Sequence, residues 1–263
     1  MLLPYGSPIT FATTGITVSG ATALTSLAGL KDGRPGAITR LQWPSGAQTT
    51  STAITIDTTW ATPIVPRVAG LVNVRGLPAG LRVRIGWQQT EGGAFDYQQQ
   101  DSILFDNQAG DRFAWDTWAS GLNACYGVRI EVFNDDGDSG TPVTVEAQFD
   151  IGEVYAAPAV DLSPIGESES EFIAGETVLA LSGQPYFSES PVRNRVPLQF
   201  LPVDAPEYPS VRGALWSLAI SPALLVSPDG SAEFLMYGRA ADIRSRRFLN
   251  GKHAISMSVE VLR

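Results

Sequence analysis

The sequence predicts an all-β protein built on a β-sandwich or jelly roll. Three apolar segments follow one another early in the chain: Ile54–Ile56, Val68–Val74 and Leu81–Trp87. In the third segment apolar residues alternate with Arg82 and Arg84, and a period of two places the apolar side chains on one face of a strand. Val68–Val74 is apolar at nearly every position, which is typical of a strand covered on both faces. We therefore expect stacked β-sheets.

The segments before this region are shorter and less regular. Residues 10–30 are rich in Thr, Ser, Ala and Gly with scattered apolar positions, which predicts an extended arm or an edge strand. Such an arm could donate a strand to a partner sheet. Residues 31–36 have the composition of a turn, and Ile38–Trp43 predicts a short strand that ends at Pro44.

The pattern loosens after residue 90 and then becomes regular again. Ile103–Phe105 predicts one short strand, and the aromatic residues from 113 to 118 are expected in a loop. Tyr126–Phe133 predicts a strand, residues 134–140 a hairpin connector, and Val143–Ile151 a strand with the clearest alternation in the chain.

The acidic segment 161–176 suggests a domain boundary or a long excursion. We predict a jelly roll over residues 1–152 and a second β-sandwich or barrel-like domain over 153–263. The strands predicted for the second domain are Val178–Leu181, Val196–Leu201, Leu215–Ile220, Phe234–Tyr237 and Ala254–Leu262. Ala240–Leu249 is the best candidate for one short helix.

Composition excludes several classes of protein. The 263 residues are 44% hydrophobic and 17% charged, the balance of a folded globular chain. The net charge of −9 argues against nucleic-acid binding, because phosphate contacts need clustered Lys and Arg. A single cysteine, Cys125, excludes a disulfide framework within the chain. No signal peptide and no membrane insertion are expected from the apolar runs, so we expect a soluble protein made in a cytoplasm.

Short motifs distributed along the chain resemble those of a known group of proteins. They are Lys31-Asp32-Gly33 with Trp43, Ile54-Thr55-Ile56-Asp57, the buried strand ending near Asn73, Gly80-Leu81-Arg82-Val83-Arg84, Tyr126-Gly127-Val128-Arg129-Ile130, Ile151-Gly152-Glu153-Val154-Tyr155-Ala156, Ser182-Gly183-Gln184-Pro185-Tyr186 with Arg193 and Arg195, Tyr237-Gly238 and the terminal strand with Glu260. Their order is similar to the discoidin-like, or galactose-binding-like, jelly roll. More specifically, it resembles tail-tip and baseplate proteins of tailed bacteriophages over roughly residues 20–263.

The resemblance implies a structural component of a virion and not an enzyme. It implies other phage tail or baseplate proteins as partners, a location in the tail tip, and synthesis in the host cytoplasm. No ligand-binding residue carries over, because the loops are the variable part of these proteins, and no cofactor is expected.

Catalytic and metal-binding alternatives find little support in the residues. The one histidine, His253, begins the terminal strand and is expected as a strand-edge or interface side chain. Acidic residues from Asp96 to Asp116 could supply paired carboxylates, but solvated loop acids explain them as well. Asp135, Asp136 and Asp138 could bind calcium, although a hairpin turn explains the same residues.

Trp115 and Trp118 are candidate aromatics for either of two roles. Aromatic faces suit the apolar side of a sugar, so they could serve a carbohydrate-binding module that recognises a host surface glycan. They could equally anchor a subunit interface, where aromatic residues are favoured. The carbohydrate-binding module is the alternative to the structural function.

Charge distribution suggests how copies of the chain could assemble. Glu167, Glu169 and Glu171 lie in the acidic segment, and Arg244, Arg246 and Arg247 lie in a basic segment that also includes Arg239 and Lys252. We predict that these segments meet in a head-to-tail contact that closes a ring of identical subunits. Two unrelated solvated surfaces are the other interpretation.

Overall fold

The computed structural model describes most of the chain in separate ranges. They are residues 1–4, 15–31, 38–45, 53–97, 102–103, 105–106, 112–117, 124–136, 141–165, 171–173, 177–179, 185–187, 193–221, 223–226 and 236–261.

Strands account for most of the secondary structure in these ranges. The first ten are β1 (Leu2–Pro4), β2 (Ile16–Ser19), β3 (Thr22–Ala23), β4 (Thr39–Gln42), β5 (Ala53–Ile64), β6 (Val68–Arg75), β7 (Leu81–Gln88), β8 (Ser102–Ile103), β9 (Phe105–Asp106) and β10 (Arg112–Thr117). The others are β11 (Cys125–Asp136), β12 (Gln148–Ala157), β13 (Ala159–Asp161), β14 (Glu171–Ile173), β15 (Thr177–Leu179), β16 (Pro185–Phe187), β17 (Arg193–Val203), β18 (Ala223–Leu225), β19 (Met236–Arg247) and β20 (His253–Val261). A 3₁₀ turn covers Leu27–Lys31, and α1 covers Tyr208–Ile220.

Three antiparallel sheets organise the strands. The first sheet has the order β2-β5-β11-β7-β8, the middle sheet β3-β4-β12-β6-β10-β9, and the third sheet β14-β17-β20-β19-β18. Two further pairs, β1-β13 and β15-β16, stand outside these sheets. The prediction of an all-β protein is confirmed.

The first core lies between the first sheet and the middle sheet. Ile56, Ile85 and Ile130 come from the inner face of the first sheet, and Leu71 and Val154 meet them from the middle sheet. All five side chains are buried, and the alternation predicted for Leu81–Trp87 and Tyr126–Phe133 accounts for Ile85 and Ile130. The predicted β-sandwich is this pair of sheets.

The second core covers the opposite face of the middle sheet. Val72 and Tyr155 point away from the first core and pack with Phe200 and Met257 of the third sheet and Leu215 of α1. The prediction that Val68–Val74 is covered on both faces is therefore confirmed, because β6 is in the middle layer.

A bulge at Asn73 of β6 reverses the alternation of the strand, so that the residues after it face the opposite cores from those expected. Asn73 has a positive φ of 56°, a conformation that Asn tolerates better than most residues. Val72 faces the second core, whereas Val74 faces the first. The side chain of Asn73 accepts a hydrogen bond from Nε of Arg75 at 2.9 Å, which ties the bulge to its own strand.

The predicted boundary after residue 152 falls within β12, which continues from Gln148 to Ala157 and serves both cores. The amino terminus also joins the second core, since Leu2 and Leu3 are buried there and β1 pairs with β13. Division of the chain into two domains stays a prediction.

The prediction of the helix was wrong. Ala240–Leu249 lies mainly in β19, and Leu215–Ile220 forms the end of α1 and not a strand. The helix buries Val211, Ala214, Leu215 and Leu218, which follow the i, i+3, i+4, i+7 spacing of one helical face. Pro209 in the first turn is compatible with the helix start.

Other predicted elements needed smaller corrections. Phe113 and Trp115 lie in strand β10 and not in a loop, and Ile103 and Phe105 belong to two separate short strands. The strand predicted from Val143 begins only at Gln148, although Val145 is still buried in the first core. The predicted arm contributes β2 as an edge strand, which pairs with β5 of the same chain; residues 5–14 lie outside the described ranges.

Candidate assembly surface

Three exposed arginines follow one another along the second half of β19. Arg244, Arg246 and Arg247 stand opposite Ser256, Ala254 and His253 of β20. Since side chains alternate along a strand, Arg244 and Arg246 share one face of the third sheet and Arg247 lies on the other. We call these three residues the arginine cluster.

Ion pairs within the chain separate the arginine cluster from the other basic residues of this segment. Arg239 pairs with Glu260 at 3.2 Å, and Lys252 pairs with Asp204 at 3.2 Å. The three arginines of the cluster have no ion pair with any other residue that the structure describes. Their charges are therefore accessible to another molecule.

Apolar side chains surround the arginine cluster at the end of the hairpin. The turn is closed by a hydrogen bond from the backbone N–H of Phe248 to the carbonyl of Lys252 at 2.8 Å, with Gly251 at a φ of 82°. Phe248 and Leu249 are exposed at its tip. Together with Arg246, Arg247 and Asn250 they line an open recess of about 810 Å³. Exposed apolar surface next to unpaired charge is typical of a contact site.

Helix α1 flanks the same strand with a second exposed apolar face. The side chain of Trp216 is 70% exposed and that of Ile220 is 67% exposed. A groove of about 390 Å³ separates the helix from β19; its walls include Arg212, Trp216 and Ala219 on one side and residues 240–243 on the other. Leu215–Ile220 was predicted as a strand and not as part of a helix, so Trp216 is not among the predicted site residues.

The predicted site aromatics are placed only in part. Trp115 occupies a position in β10 opposite Gly70 of β6, inside the middle sheet and not in a loop. Trp118 lies outside the described residues. A glycan site built on these two residues stays a prediction.

The acidic segment predicted to meet the arginines is also placed in part. Glu171 begins β14, opposite Arg195 of β17, at one edge of the third sheet. Glu167 and Glu169 lie outside the described residues. Asp161 accepts a hydrogen bond from the amino-terminal nitrogen of Met1 at 3.3 Å, so it already has a partner within the chain.

The carboxylates considered for calcium have other partners. Asp135 is 1% exposed and accepts two hydrogen bonds from the guanidinium of Arg82, both at 2.7 Å. Asp136 accepts a bond from the backbone N–H of Thr141 at 3.4 Å, and Asp138 lies outside the described ranges. Within those ranges no cluster of three or more metal-ligating side chains occurs. Asp135 therefore stabilises the fold through Arg82, and calcium binding at Asp135, Asp136 and Asp138 stays a prediction.

His253 and Cys125 each have a structural role. The imidazole of His253 stacks on the ring of Tyr208 with centroids 3.7 Å apart and links β20 to the start of α1. Cys125 is fully buried, and its carbonyl oxygen accepts a hydrogen bond from Nε1 of Trp60 at 2.5 Å. Burial raises the pKa of the Cys125 thiol to about 11.

We expect the thiol of Cys125 to be unreactive in the folded protein. Burial removes it from solvent, and the raised pKa keeps it protonated near pH 8, whereas the thiolate is the reactive species. Titration with a thiol reagent should detect less than about one tenth of a thiol per chain before unfolding in guanidinium and one thiol afterwards. Rapid stoichiometric labelling of the folded protein would contradict this placement.

Comparison with known proteins identifies no relative: no family model matches the chain, and neither a curated protein nor a solved structure matches it. The helix that the structure describes is too short to cross a membrane.

Proposed function

We propose that this chain is a non-enzymatic structural subunit of a bacteriophage tail tip or baseplate that acts through contacts with copies of itself and with other tail proteins. The observation that carries the proposal is the arginine cluster, three exposed cations without a described ionic partner beside exposed Phe248 and Leu249.

Charge supports an assembly role for this surface. The chain as a whole carries −9, so three neighbouring arginines without an ion pair to any described residue are a local reversal of the prevailing charge. A second copy of the chain carries a net negative charge, and opposite charge favours encounter and fixes orientation. The exposed apolar side chains beside the cluster supply area whose burial would stabilise such a contact.

The layered fold supports a structural role in a second way. Both faces of β6 and β12 are covered, so the middle sheet contributes to two packed cores and holds the outer sheets in a fixed relation. In a subunit of this kind the sheet edges and hairpin ends are available for contacts with neighbouring subunits without a conformational change. The resemblance of its motifs to tail-tip and baseplate proteins supports the proposed location in a virion.

Reversing the arginine cluster is expected to disrupt assembly. In the variant R244E/R246E/R247E three attractive charges become repulsive toward an acidic neighbour, so the mass measured by light scattering should fall from that of an oligomer toward that of the 28.1 kDa chain. The effect should weaken as salt rises, because exposed charges are screened.

The double variant K31E/R40E is the control for a lowered net charge elsewhere in the chain. It lowers the net charge by four, as the partial reversal R244E/R246E does, at residues remote in sequence from the arginine cluster. It should leave the oligomer unchanged. A wild-type chain that remains monomeric at every concentration, or an oligomer unaffected by the triple reversal, would contradict the role of this surface.

A further inference from the structure

The third sheet has two different edges. At one end β18 pairs with β19 only along Met236–Gly238. Arg239–Arg247 therefore has β20 on one side and, in the part of the chain that the structure describes, no strand on the other. The opposite edge is β14, which pairs with β17 on one side only within the same described ranges.

The open part of β19 is long, and its charged residues protect it against pairing with a second β19. Nine residues of extended chain span about 30 Å, and an edge of that length is a template for another strand. A bulge at Asp242, with φ of 49°, and the exposed arginines interrupt it. These features disfavour pairing of two β19 edges with each other, because like charges would face one another, but they do not oppose an acidic strand.

A groove between this part of β19 and α1 offers room for a neighbouring segment. Residues 240–243 and Ser245 of β19 form one wall, and Arg212 and Trp216 of α1 form the other, around a volume of about 390 Å³. Arg212 adds a further cation that is not ion-paired to any residue the structure describes. An extended segment in this groove would gain backbone hydrogen bonds from the strand and apolar contact from the indole.

The opposite edge has the complementary sequence. β14 begins at Glu171, and the flanking residues include Glu167, Glu169 and Glu176. Successive antiparallel pairings from β14 through β17 and β20 to β19 give β14 and β19 opposite directions. If a neighbouring copy is related by rotation about an axis along the strands, its β14 is antiparallel to the β19 it meets.

We propose that copies of this chain join by continuing the third sheet, with the acidic edge β14 of one copy paired to the open part of β19 in the next. The contact is heterologous, so repetition closes a ring when the rotation allows it. This inference rests on the proposed structural function and specifies how its homotypic contact is made.

Engineered cysteines test the pairing directly. Cys125 is buried, so added cysteines supply the reactive thiols. Two variants, E171C/S245C and E171C/R246C, cover both alternating positions of a strand pair. A disulfide needs Cα atoms about 4.4–6.8 Å apart, which opposite residues of antiparallel strands satisfy. At least one variant should give a ladder of covalent multimers on a non-reducing gel.

The single variants should stop at dimers, and E146C/S245C, with the first cysteine at an exposed position before β12, should give no ladder. Circular dichroism should match that of the wild type, so that loss of the fold is recognised. If the wild-type chain forms oligomers but neither double variant gives a ladder, the strand pairing is wrong while the structural function stands. If the wild-type chain forms no oligomer, both are wrong.

Exchange of charge between the two edges provides an independent test. R244E/R246E makes the β19 edge acidic, and E169K/E171K reverses the charge at the first residue of β14 and at a residue just before it in the sequence. Each variant alone should lose at least about tenfold in self-association, because it meets like charge at every contact. An equimolar mixture should recover the oligomer, since each reversed edge then meets its complement. Failure of the mixture to recover would overturn the pairing.

Discussion

Replacing Arg82 by methionine is expected to lower the free energy of unfolding by about 3–5 kcal/mol, because it leaves a buried carboxylate without its counterion. Asp135 is 1% exposed, and the two nitrogen–oxygen distances of its bidentate pair with Arg82 are both 2.7 Å. The guanidinium also lies 3.7 Å from the centroid of the Phe133 ring, so a cation–π contact is lost as well.

Chemical denaturation of wild type and R82M measures this difference. The double variant R82M/D135L removes both charges and should recover much of the loss, since replacing a whole buried pair by apolar residues costs far less than breaking it. R40M is the matched control: Arg40 forms a similar pair with Asp150 but is largely exposed, so its loss should change stability much less. If R82M lowers the free energy of unfolding by less than about 1 kcal/mol, Asp135 is adequately solvated without Arg82 and the prediction is wrong.

The sequence was sufficient to predict the sheets but not how they stack. Alternation in Leu81–Trp87 and in Ala254–Leu262 identified β7 and β20, since a strand with one buried face leaves a period of two. Continuous apolar character identified β6 as covered on both faces. The partner of its second face could not be predicted, because the contacting residues of the third sheet, such as Phe200 and Met257, lie more than 120 residues further along the chain. No local pattern records that contact.

The misplaced helix shows where local preference and tertiary pairing disagree. Ala240–Leu249 contains Ala, Arg and Leu, which favour helix, yet pairing with β20 holds it extended. The run Leu215–Ile220 is apolar and short, and such a run does not distinguish strand from helix. Extending the window back to Val211 would have shown the helical spacing of the buried residues.

The candidate site was predictable as a set of charges but not as a surface. Arg244, Arg246 and Arg247 stand out in the sequence as a basic run. Which basic residues are already neutralised depends on long-range ion pairs, such as Arg239 with Glu260, that no spacing rule predicts. The exposure of Trp216 depends on which face of α1 is buried. That face could not be predicted without the helix itself.

Replacing Tyr237 by phenylalanine should lower the free energy of unfolding by about 1.5–3 kcal/mol, the range for a hydrogen bond to a charged group. The Tyr237 hydroxyl of β19 donates to Oε2 of Glu153 at 2.5 Å, and both side chains are buried in the second core. Burial and the neighbouring charge of Glu153 together raise the pKa of Tyr155 well above its usual value. The hydrogen bond between Tyr237 and Glu153 connects β19 of the third sheet to β12 of the middle sheet through a carboxyl group that solvent does not reach.

A double-mutant cycle separates this bond from general loss of packing. Y237F keeps the ring and its edge-to-face contact with Tyr155, whose centroid lies 6.3 Å away, so only the hydroxyl is removed. E153Q keeps an acceptor, and the double variant Y237F/E153Q should cost less than the sum of the two single changes by about 1 kcal/mol. Strict additivity would mean that Glu153 is held by its other contacts. At this point the middle sheet and the third sheet would then be joined by apolar packing, and β19 would be anchored at Tyr237 by its ring and not by its hydroxyl.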